Sequence, residues 1–278
     1  MRVEPHEPIG ATVLDVDLAR LTDGDHDRLR DALADHGVLA VPDQRVDDDA
    51  FAEFLRGFGE LQFTDGEQAA PGHTDLNLVT NVGRERSPVS NWHVDTAYVS
   101  SPPSYTALRA VDVPDEGGAT MFTNQYRAWD TLAPSLREHI ADRTMTHHVT
   151  GLEPGEGAEI AADHPLVRPH PRSGRPALLL DAPARCGSVS GLGDDESEDL
   201  VANLLRHSTC TENVWCHTWS AGDVVIWDNA VVLHRADHSG VVGDRTFHRG
   251  MVVAAGYSTA DHPTREPLVG PATPRERN

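Results

Sequence analysis

Three residues that are far apart in the chain, His93, Asp95 and His234, place the strongest constraint on how this sequence folds. His93 and Asp95 flank a single valine, and residues two apart in an extended segment point to the same side. Two histidines and one carboxylate form the ligand set of a non-haem iron centre with open coordination positions. If the three side chains hold one metal ion, the fold has to bring two distant segments together.

The pair of His93 and Asp95 is weak evidence for a metal site when it is taken alone. The chain has 16 histidines and 44 acidic residues, and a second His-X-Asp occurs at His73-Thr74-Asp75. Short motifs of this kind match by chance at a high rate. The hypothesis of a metal centre therefore depends on what else the sequence contains.

Length and composition restrict the class of protein. A chain of 278 residues fits a single domain over 1–278, because β-rich domains of this length often stay undivided. The 3 cysteines are an odd number and predict no disulfide framework. No apolar run approaches the roughly 20 residues of a membrane span, and neither terminus carries a targeting pattern. We expect a cytoplasmic protein.

The charge balance restricts the partners. The formal net charge is -21, and arginine supplies all 23 basic residues because the chain contains no lysine. A field of this sign repels phosphate, so nucleic acid is not expected as a partner, and neither is a membrane. The expected ligand is a small molecule. An anionic substrate would need a dedicated arginine to enter such a protein.

Hydrophobic patterning predicts a mixed α/β fold with a β-rich core and helices packed outside it. The predicted helices are 22–36, 47–58, 124–141 with a break at Pro134, and 194–207. The predicted strands are 11–14, 38–41, 76–80, 105–110, 119–122, 177–180, 214–219, 224–227 and 250–254. The Gly- and Glu-rich stretch 151–163 is predicted to be a mobile surface loop.

Several motifs, in their order and spacing, resemble the taurine/2,4-D dioxygenase (TauD/TfdA-type) family of Fe(II)- and 2-oxoglutarate-dependent dioxygenases. The matching segments are Asn91–Asp95, Gly117–Thr120, Ala221–Asn229, His234 and Asp244–Gly250. Weaker matches extend the resemblance over most of the chain. It implies a double-stranded β-helix core, also called a jelly roll or cupin-like fold, with surrounding helices. It also implies Fe(II), 2-oxoglutarate as cosubstrate, and O2.

The resemblance gives a role to seven side chains. These are catalysis and iron ligation for His93, Asp95 and His234, binding of 2-oxoglutarate for Thr120 and Arg245, and substrate binding for Arg249 and Asn91. The chemistry of each type fits, since a guanidinium binds a carboxylate through two parallel charge-assisted hydrogen bonds. Without the family match, a surface ion pair and an ordinary strand threonine remain open alternatives for Arg245 and Thr120.

The substrate side of the predicted site is less defined. Arg249 matches the position that binds the acidic group of the substrate in taurine-type members, and Asn91 and the loop Gln62–Asp65 would lie near the mouth. Taurine-cleaving members carry a histidine just after Gly-Glu-Leu, whereas this chain continues with Gln62-Phe63-Thr64, which speaks against taurine. The presence of Asp95 speaks against a halogenase, because halogenases have a small residue there.

The expected reaction is oxidation of a C–H bond, most simply hydroxylation, with release of succinate and CO2. The expected substrate is small and anionic or amino-acid-like. Two alternatives stay open at this point: desaturation, cyclisation or C–N chemistry at the same iron site in a biosynthetic pathway, and a non-catalytic metal-binding jelly-roll protein. A homo-oligomer, dimer or tetramer, is expected only from the family.

Overall fold

The computed structural model describes residues 1–64, 66–84, 90–255 and 268–269. Asp65, from the predicted mouth loop, lies outside the described residues. The α-helices are α1 (Asp23–His36), α2 (Asp48–Arg56), α3 (Gln125–Asp130), α4 (Pro134–Ile140) and α5 (Asp194–Ser208). The strands are β1 (Arg2–Pro5), β2 (Ala11–Leu14), β3 (Val38–Val41), β4 (Glu60–Gln62), β5 (Asn77–Thr80), β6 (Tyr105–Asp112), β7 (Thr120–Thr123), β8 (Thr144–His148), β9 (Glu159–Pro165), β10 (Val167–Pro169), β11 (Pro176–Leu178), β12 (Cys186–Val189), β13 (Val214–His217), β14 (Val224–Asp228), β15 (His234–Ala236), β16 (Thr246–Val253) and β17 (Leu268–Val269).

The first helices begin at the polar residues that the sequence predicts. The Thr22 hydroxyl accepts the N–H of Asp25, and the Asp25 carboxylate accepts the N–H of Thr22, so both bonds of a capping box are present. Gly37 ends α1 with a φ of 71°, a conformation that glycine adopts without strain. The Asp47 side chain accepts the N–H of Ala50 at the start of α2.

The largest sheet has eight strands in the order β1-β2-β3-β14-β6-β16-β4, with β5 pairing to β16. Helices α1 and α2 cover its outer face. The buried side chains between these helices and the sheet include Leu29, Leu33, Phe51, Leu55, Ile226 and Val252. Burial of this apolar surface fixes the helices to the sheet and leaves the other face of the sheet free to build a site.

Strand β16 presents alternate residues to the two faces of this sheet. Val252 belongs to the outer cluster and Phe247 to the inner one, so Arg249 and Met251 also lie on the inner face. Gly250 faces α2, where a methyl group would collide with Leu55 Cδ1 and lie 3.1 Å from Leu76 Cδ2. Glycine at this position lets the helix pack directly onto the strand.

A three-stranded sheet, β13-β7-β15, packs against the inner face of the large sheet. The core between them includes Phe122, Trp227 and Phe247. Of the two smaller sheets, β12-β8-β9-β17 packs against α5 and β10-β11 packs against α3. Both contribute to a third cluster that contains Met145, Leu178, Leu200, Val201 and Leu204. Among the described residues, no helix combines the length and apolar character that crossing a bilayer demands.

The observed fold is mixed α/β and rich in sheet, as the sequence predicts, but several short strands lie outside the predicted ones: β1, β4, β8, β10, β12, β15 and β17. Part of the stretch predicted as a mobile loop is strand β9, which pairs with β8 from Thr144↔Pro165 to His148↔Ala161. Strand β8 is rich in Thr and His, so apolar periodicity does not reveal it. Strand β16 also begins four residues earlier than predicted, because the polar residues at its start are buried inside the fold.

We expect Gly250→Ala to lower the free energy of unfolding by about 1–3 kcal/mol, because the added methyl overpacks a buried contact with α2. Urea unfolding followed by circular dichroism measures this loss. Gly155→Ala is the matched control, since a methyl there meets open space and the change should leave stability unchanged or slightly higher. Equal stability of the two variants would contradict the proposed packing.

Candidate active site

A pair of backbone hydrogen bonds joins the two halves of the candidate site. The N–H of His93 donates to the carbonyl of His234, and the N–H of His234 donates to the carbonyl of His93, both at 3.0 Å. Residues that exchange both bonds lie directly opposite each other, with their side chains on one face. The two imidazole rings accordingly have centroids 4.2 Å apart.

Asp95 completes the group on the same side. Val94 packs into the apolar core, so His93 and Asp95 project together from the segment, as the i and i+2 spacing predicts. Asp95 Oδ1 lies 3.7 Å from His93 Nε2, and Asp95 Oδ2 lies 3.5 Å from His234 Nε2. The ligand atoms of the three residues all lie within 4.8 Å of one another, so one metal ion fits among them. Asp95 Oδ2 is buried and has no hydrogen-bond partner among the described residues, as suits a metal ligand.

The surroundings of the two histidines orient their rings. His93 Nδ1 donates to the Asn91 carbonyl at 2.8 Å, which leaves the Nε2 lone pair facing Asp95. The Asn91 side chain is exposed, so the structure shows Asn91 acting on the site through its backbone. The His234 ring packs against Trp227, with centroids 4.6 Å apart. Both rings are thereby held in place before any metal binds.

Electrostatics favour the metal-binding protonation states. Burial opposes ionisation of Asp95, but His234, Arg249 and His93 outweigh it and hold the pKa of the carboxyl below its usual range. Burial and the neighbouring His93 lower the pKa of His234 to about 3. At neutral pH the group therefore offers a carboxylate and a neutral imidazole, the forms that coordinate a divalent cation.

Arg245 and Thr120 belong to a second group of side chains, in which they are linked through the rings of Phe247 and Trp219, with centroids 4.6 Å apart. The Arg245 guanidinium lies over the Phe247 ring, 4.2 Å from its centroid, and its Nε–H donates to the Gly118 carbonyl at 3.3 Å. The Thr120 hydroxyl accepts the indole N–H of Trp219 at 3.0 Å. Gly118 is needed here because a Cβ would lie 3.4 Å from the Arg245 side chain and 2.9 Å from Pro114 Cγ, at a φ of 75°.

The charge of Arg245 is not balanced inside the described part of the protein. Its side chain is 3% exposed, and burial alone lowers its pKa to about 10, with no carboxylate among the causes. A buried cation without an anionic partner costs free energy. The chain carries a large excess of acidic residues, yet none of the described ones pairs with Arg245. An anionic ligand that pairs with the Arg245 guanidinium removes the free-energy cost of burying its charge.

Arg249 has the opposite surroundings. Its Nη1 donates to Asp95 Oδ1 at 3.2 Å, and its Nη2 donates to the carboxylate of Glu67. Burial lowers the pKa of Arg249, but Asp95 and Glu67 outweigh it and raise the pKa above its ordinary value. The two arginines follow the predicted arrangement on one side of the β16 segment, yet only Arg249 is already paired.

Sequence reasoning missed three residues that lie next to Thr120 or Arg249, namely Trp219, Glu67 and Asn77. Trp219 reaches Thr120 from 99 positions away, and Glu67 reaches Arg249 from 182 positions away. No local pattern announces contacts between segments so distant. His73 is not brought to the site, since its Nε2 faces Asp48 at 4.0 Å, near the outer-face residue His248.

Comparison with known proteins agrees with this geometry. Residues 2–251 match the family described as taurine catabolism dioxygenase TauD, TfdA family. The chain belongs to this family. It is 30% identical over 261 residues to an (S)-phenoxypropionate/alpha-ketoglutarate-dioxygenase of Delftia acidovorans, with 82% of this chain and 86% of the relative covered. It is 30% identical over 272 residues to the alpha-ketoglutarate-dependent 2,4-dichlorophenoxyacetate dioxygenase of Cupriavidus pinatubonensis, with 88% and 94% covered.

The fold is similar to that of solved family members. A taurine dioxygenase from Burkholderia xenovorans superposes with a TM-score of 0.80 at 29% identity, covering 91% of this chain and 90% of that chain. The predicted family, enzyme class and cofactors are confirmed. The chain is an oxidoreductase of the 2-oxoglutarate-dependent dioxygenase class, which needs Fe(II), 2-oxoglutarate and O2.

We expect His93→Ala to weaken Mn²⁺ binding by more than about 100-fold, because it removes one of three protein ligands, a larger change than the loss of an outer-shell partner. Calorimetric titration of the metal-free protein without O2 measures this affinity. His73→Ala, from the second His-X-Asp, is the matched control and should bind Mn²⁺ like the native protein. Unchanged affinity of His93→Ala would exclude this residue as a ligand.

Proposed function

We propose that this dioxygenase hydroxylates a C–H bond of a small-molecule substrate at His93, Asp95 and His234, with conversion of 2-oxoglutarate to succinate and CO2. The observation that carries the proposal is the guanidinium of Arg245, which is 3% exposed and has no carboxylate partner among the described residues. It lies on the same side of the β16 segment as Arg249, whose Nη1 donates to the metal-site residue Asp95. A metal-binding protein without turnover would have no use for the Arg245 cation. A dicarboxylate that reaches the metal with one end and Arg245 with the other accounts for both features.

Each side chain has a defined task in this proposal. His93, Asp95 and His234 would hold Fe(II) through three ligands and leave positions for the cosubstrate and O2. When bound, Fe(II) with 2-oxoglutarate and O2 supplies the oxidising power. The protein itself orients the reactants and keeps water away from them.

The group that contains Arg245 and Thr120 is suited to the distal carboxylate of 2-oxoglutarate. The Arg245 fork can bind both oxygens of a carboxylate at once. The Thr120 oxygen accepts the Trp219 N–H, so its own O–H remains available as a donor to the same carboxylate. We therefore assign cosubstrate binding to Arg245, Thr120 and, through Thr120, Trp219.

The large sheet and the sheet β13-β7-β15 enclose a shared core, and this supports a double-stranded β-helix as the frame of the site. Two facing sheets of this kind place ligands between them. A cytoplasmic location, a small homo-oligomer and the absence of nucleic-acid and membrane partners stay predictions from the sequence and the family.

The substrate would enter beside Arg249. A cavity of about 240 Å³ is lined by residues that include Gln62, Thr64, Thr96 and Tyr98. Thr64 and Thr96 both lie 3.8 Å from the sulfur of Met251, two residues beyond Arg249 on the inner face. This volume is below the roughly 300 Å³ at which drug-sized sites begin, and it favours a small substrate.

We expect the purified chain with Fe(II), 2-oxoglutarate and O2 to release succinate, and to do so faster with a true substrate present. A panel of small amino acids, sulfonates, phosphonates and aryloxy acids is read by 2-oxoglutarate consumption, and mass spectrometry should find a product heavier by one oxygen atom. Asp95→Ala is the inactive control. Absence of succinate from a protein that binds both metal and 2-oxoglutarate would contradict the proposal, and a product lighter by two hydrogens would replace hydroxylation by desaturation.

We expect Arg245→Gln to weaken 2-oxoglutarate binding to the Mn²⁺-loaded protein by about 10- to 100-fold, the loss of one charge-assisted pair. Calorimetry without O2 measures binding apart from turnover. Arg235→Gln is a suitable control, because Arg235 stacks on Trp92 outside the group that contains Arg245. Equal affinity of Arg245→Gln and the native protein would remove Arg245 from the cosubstrate site.

A further inference from the structure

Glu67 is held in a fixed position beside Arg249. Its segment pairs with the edge of β5: the N–H of Leu78 donates to the Gln68 carbonyl and the N–H of Ala70 to the Leu76 carbonyl, both at 2.8 Å. Ala69 and Asn77 form the bridge between the two segments. Glu67 lies in the turn before this pairing, where its N–H donates to the Thr64 carbonyl at 3.2 Å, and its carboxylate reaches Arg249.

Asn77 lies on the same inner face as Arg249. The two residues are directly opposite in the pairing of β5 with β16, so their side chains are neighbours. Asn77 is 0% exposed, and neither atom of its amide has a hydrogen-bond partner among the described residues. A fully buried amide without partners is costly, so a polar ligand group that bonds to it would be stabilised here.

Further unsatisfied atoms lie in the same row. Gln62, on the other edge strand, is opposite Met251, and its Oε1 is buried without a partner in the described structure. Arg249 Nε is likewise buried and unpartnered there. The row therefore offers a carboxylate and two amide carbonyls as acceptors, next to a guanidinium with a spare donor.

Formal charges at the loaded site separate the possible substrates. The positive charges of a divalent metal, Arg245 and Arg249 are equal in number to the negative charges of Asp95, Glu67 and the two carboxylates of 2-oxoglutarate. The loaded site is therefore neutral before a substrate binds. A simple monoanion would add an unbalanced negative charge to a buried site, whereas a zwitterion would add none. Without Glu67 the preference would be reversed.

We propose that Glu67, Asn77 and Arg249 form a subsite for a zwitterionic substrate of the amino-acid type, with Glu67 as the residue that selects it. The ammonium group binds Glu67 and the Asn77 carbonyl, and the acid group binds Arg249 through the donor that is still unpaired. The rest of the substrate occupies the cavity that begins at Gln62 and Thr96. The inference rests on the proposed function, whose substrate class it specifies.

The test compares matched acids that differ only in the amino group: L-alanine and propanoate, L-norvaline and pentanoate, and L-phenylalanine and hydrocinnamate. Binding is measured by calorimetry to protein loaded with Mn²⁺ and 2-oxoglutarate without O2. The native protein should bind at least one amino acid about tenfold or more tightly than its partner acid. Glu67→Gln should bind that amino acid more weakly and its partner acid more tightly, each by about tenfold or more. Glu67→Asp should keep the native preference, and Glu60→Gln, which changes an exposed carboxylate on β4, should behave like the native protein.

Three results would overturn the proposal: a native preference for the acids without an amino group, an equal change of both members of every pair in Glu67→Gln, or no difference between native protein and Glu67→Gln for any acid. Binding of Mn²⁺ and of 2-oxoglutarate is measured first in each variant. If both bind normally while the acid pairs fail, the substrate class is wrong and the dioxygenase assignment stands. If 2-oxoglutarate itself does not bind, the proposed function fails.

Discussion

The reciprocal backbone hydrogen bonds between His93 and His234 are the interaction on which the site depends. They turn two segments from distant parts of the chain into one antiparallel pair and set both imidazoles on the same face. The position of the Asp95 side chain on that face then follows from the alternation of side chains along an extended segment. Side chains on long, flexible stems could not fix a small ion so well, because each would lose rotamer entropy on binding. Here the backbone has already fixed the geometry when the protein folds.

The two inner-face arginines, Arg245 and Arg249, have opposite electrostatic environments. Arg245 is buried with no acidic neighbour in the described chain, so its environment improves when a carboxylate arrives. Arg249 is compensated by Glu67 and Asp95, so another anion gains much less there. The same residue type therefore has two opposite charge environments on one side of one segment, and the neighbouring acidic residues cause the difference.

Much of this could be predicted from the sequence, and the limits have a physical cause. Thr22 and Gly37 delimit a helix through local backbone chemistry, and the His93-Val94-Asp95 spacing uses only strand alternation. Family resemblance added Thr120, Arg245 and Arg249. Trp219, Glu67 and Asn77 were not found because their contacts depend on which strands pair, information that no short window contains. Strand β9 begins inside the stretch 151–163, whose Gly- and Glu-rich composition predicts a loop, and its partner β8 is rich in threonine and histidine, so neither strand shows apolar alternation.

The packing of β16 against α2 restricts which parts of the site can change without moving the strand. Gly250 lets the strand pack directly on Leu55, and both arginines lie on the opposite side of the segment, so a shift of β16 would move Arg245 and Arg249 together, and Arg249 contacts the metal-site residue Asp95. Under the proposed roles, Gln62, Glu67 and Asn77 contact the substrate from segments at the edges of the sheet, and the strands that carry Gln62 and Asn77 are themselves paired with β16. Glu67 lies outside these paired strands, so a change at this residue would alter the proposed substrate contacts with the least effect on the backbone of β16.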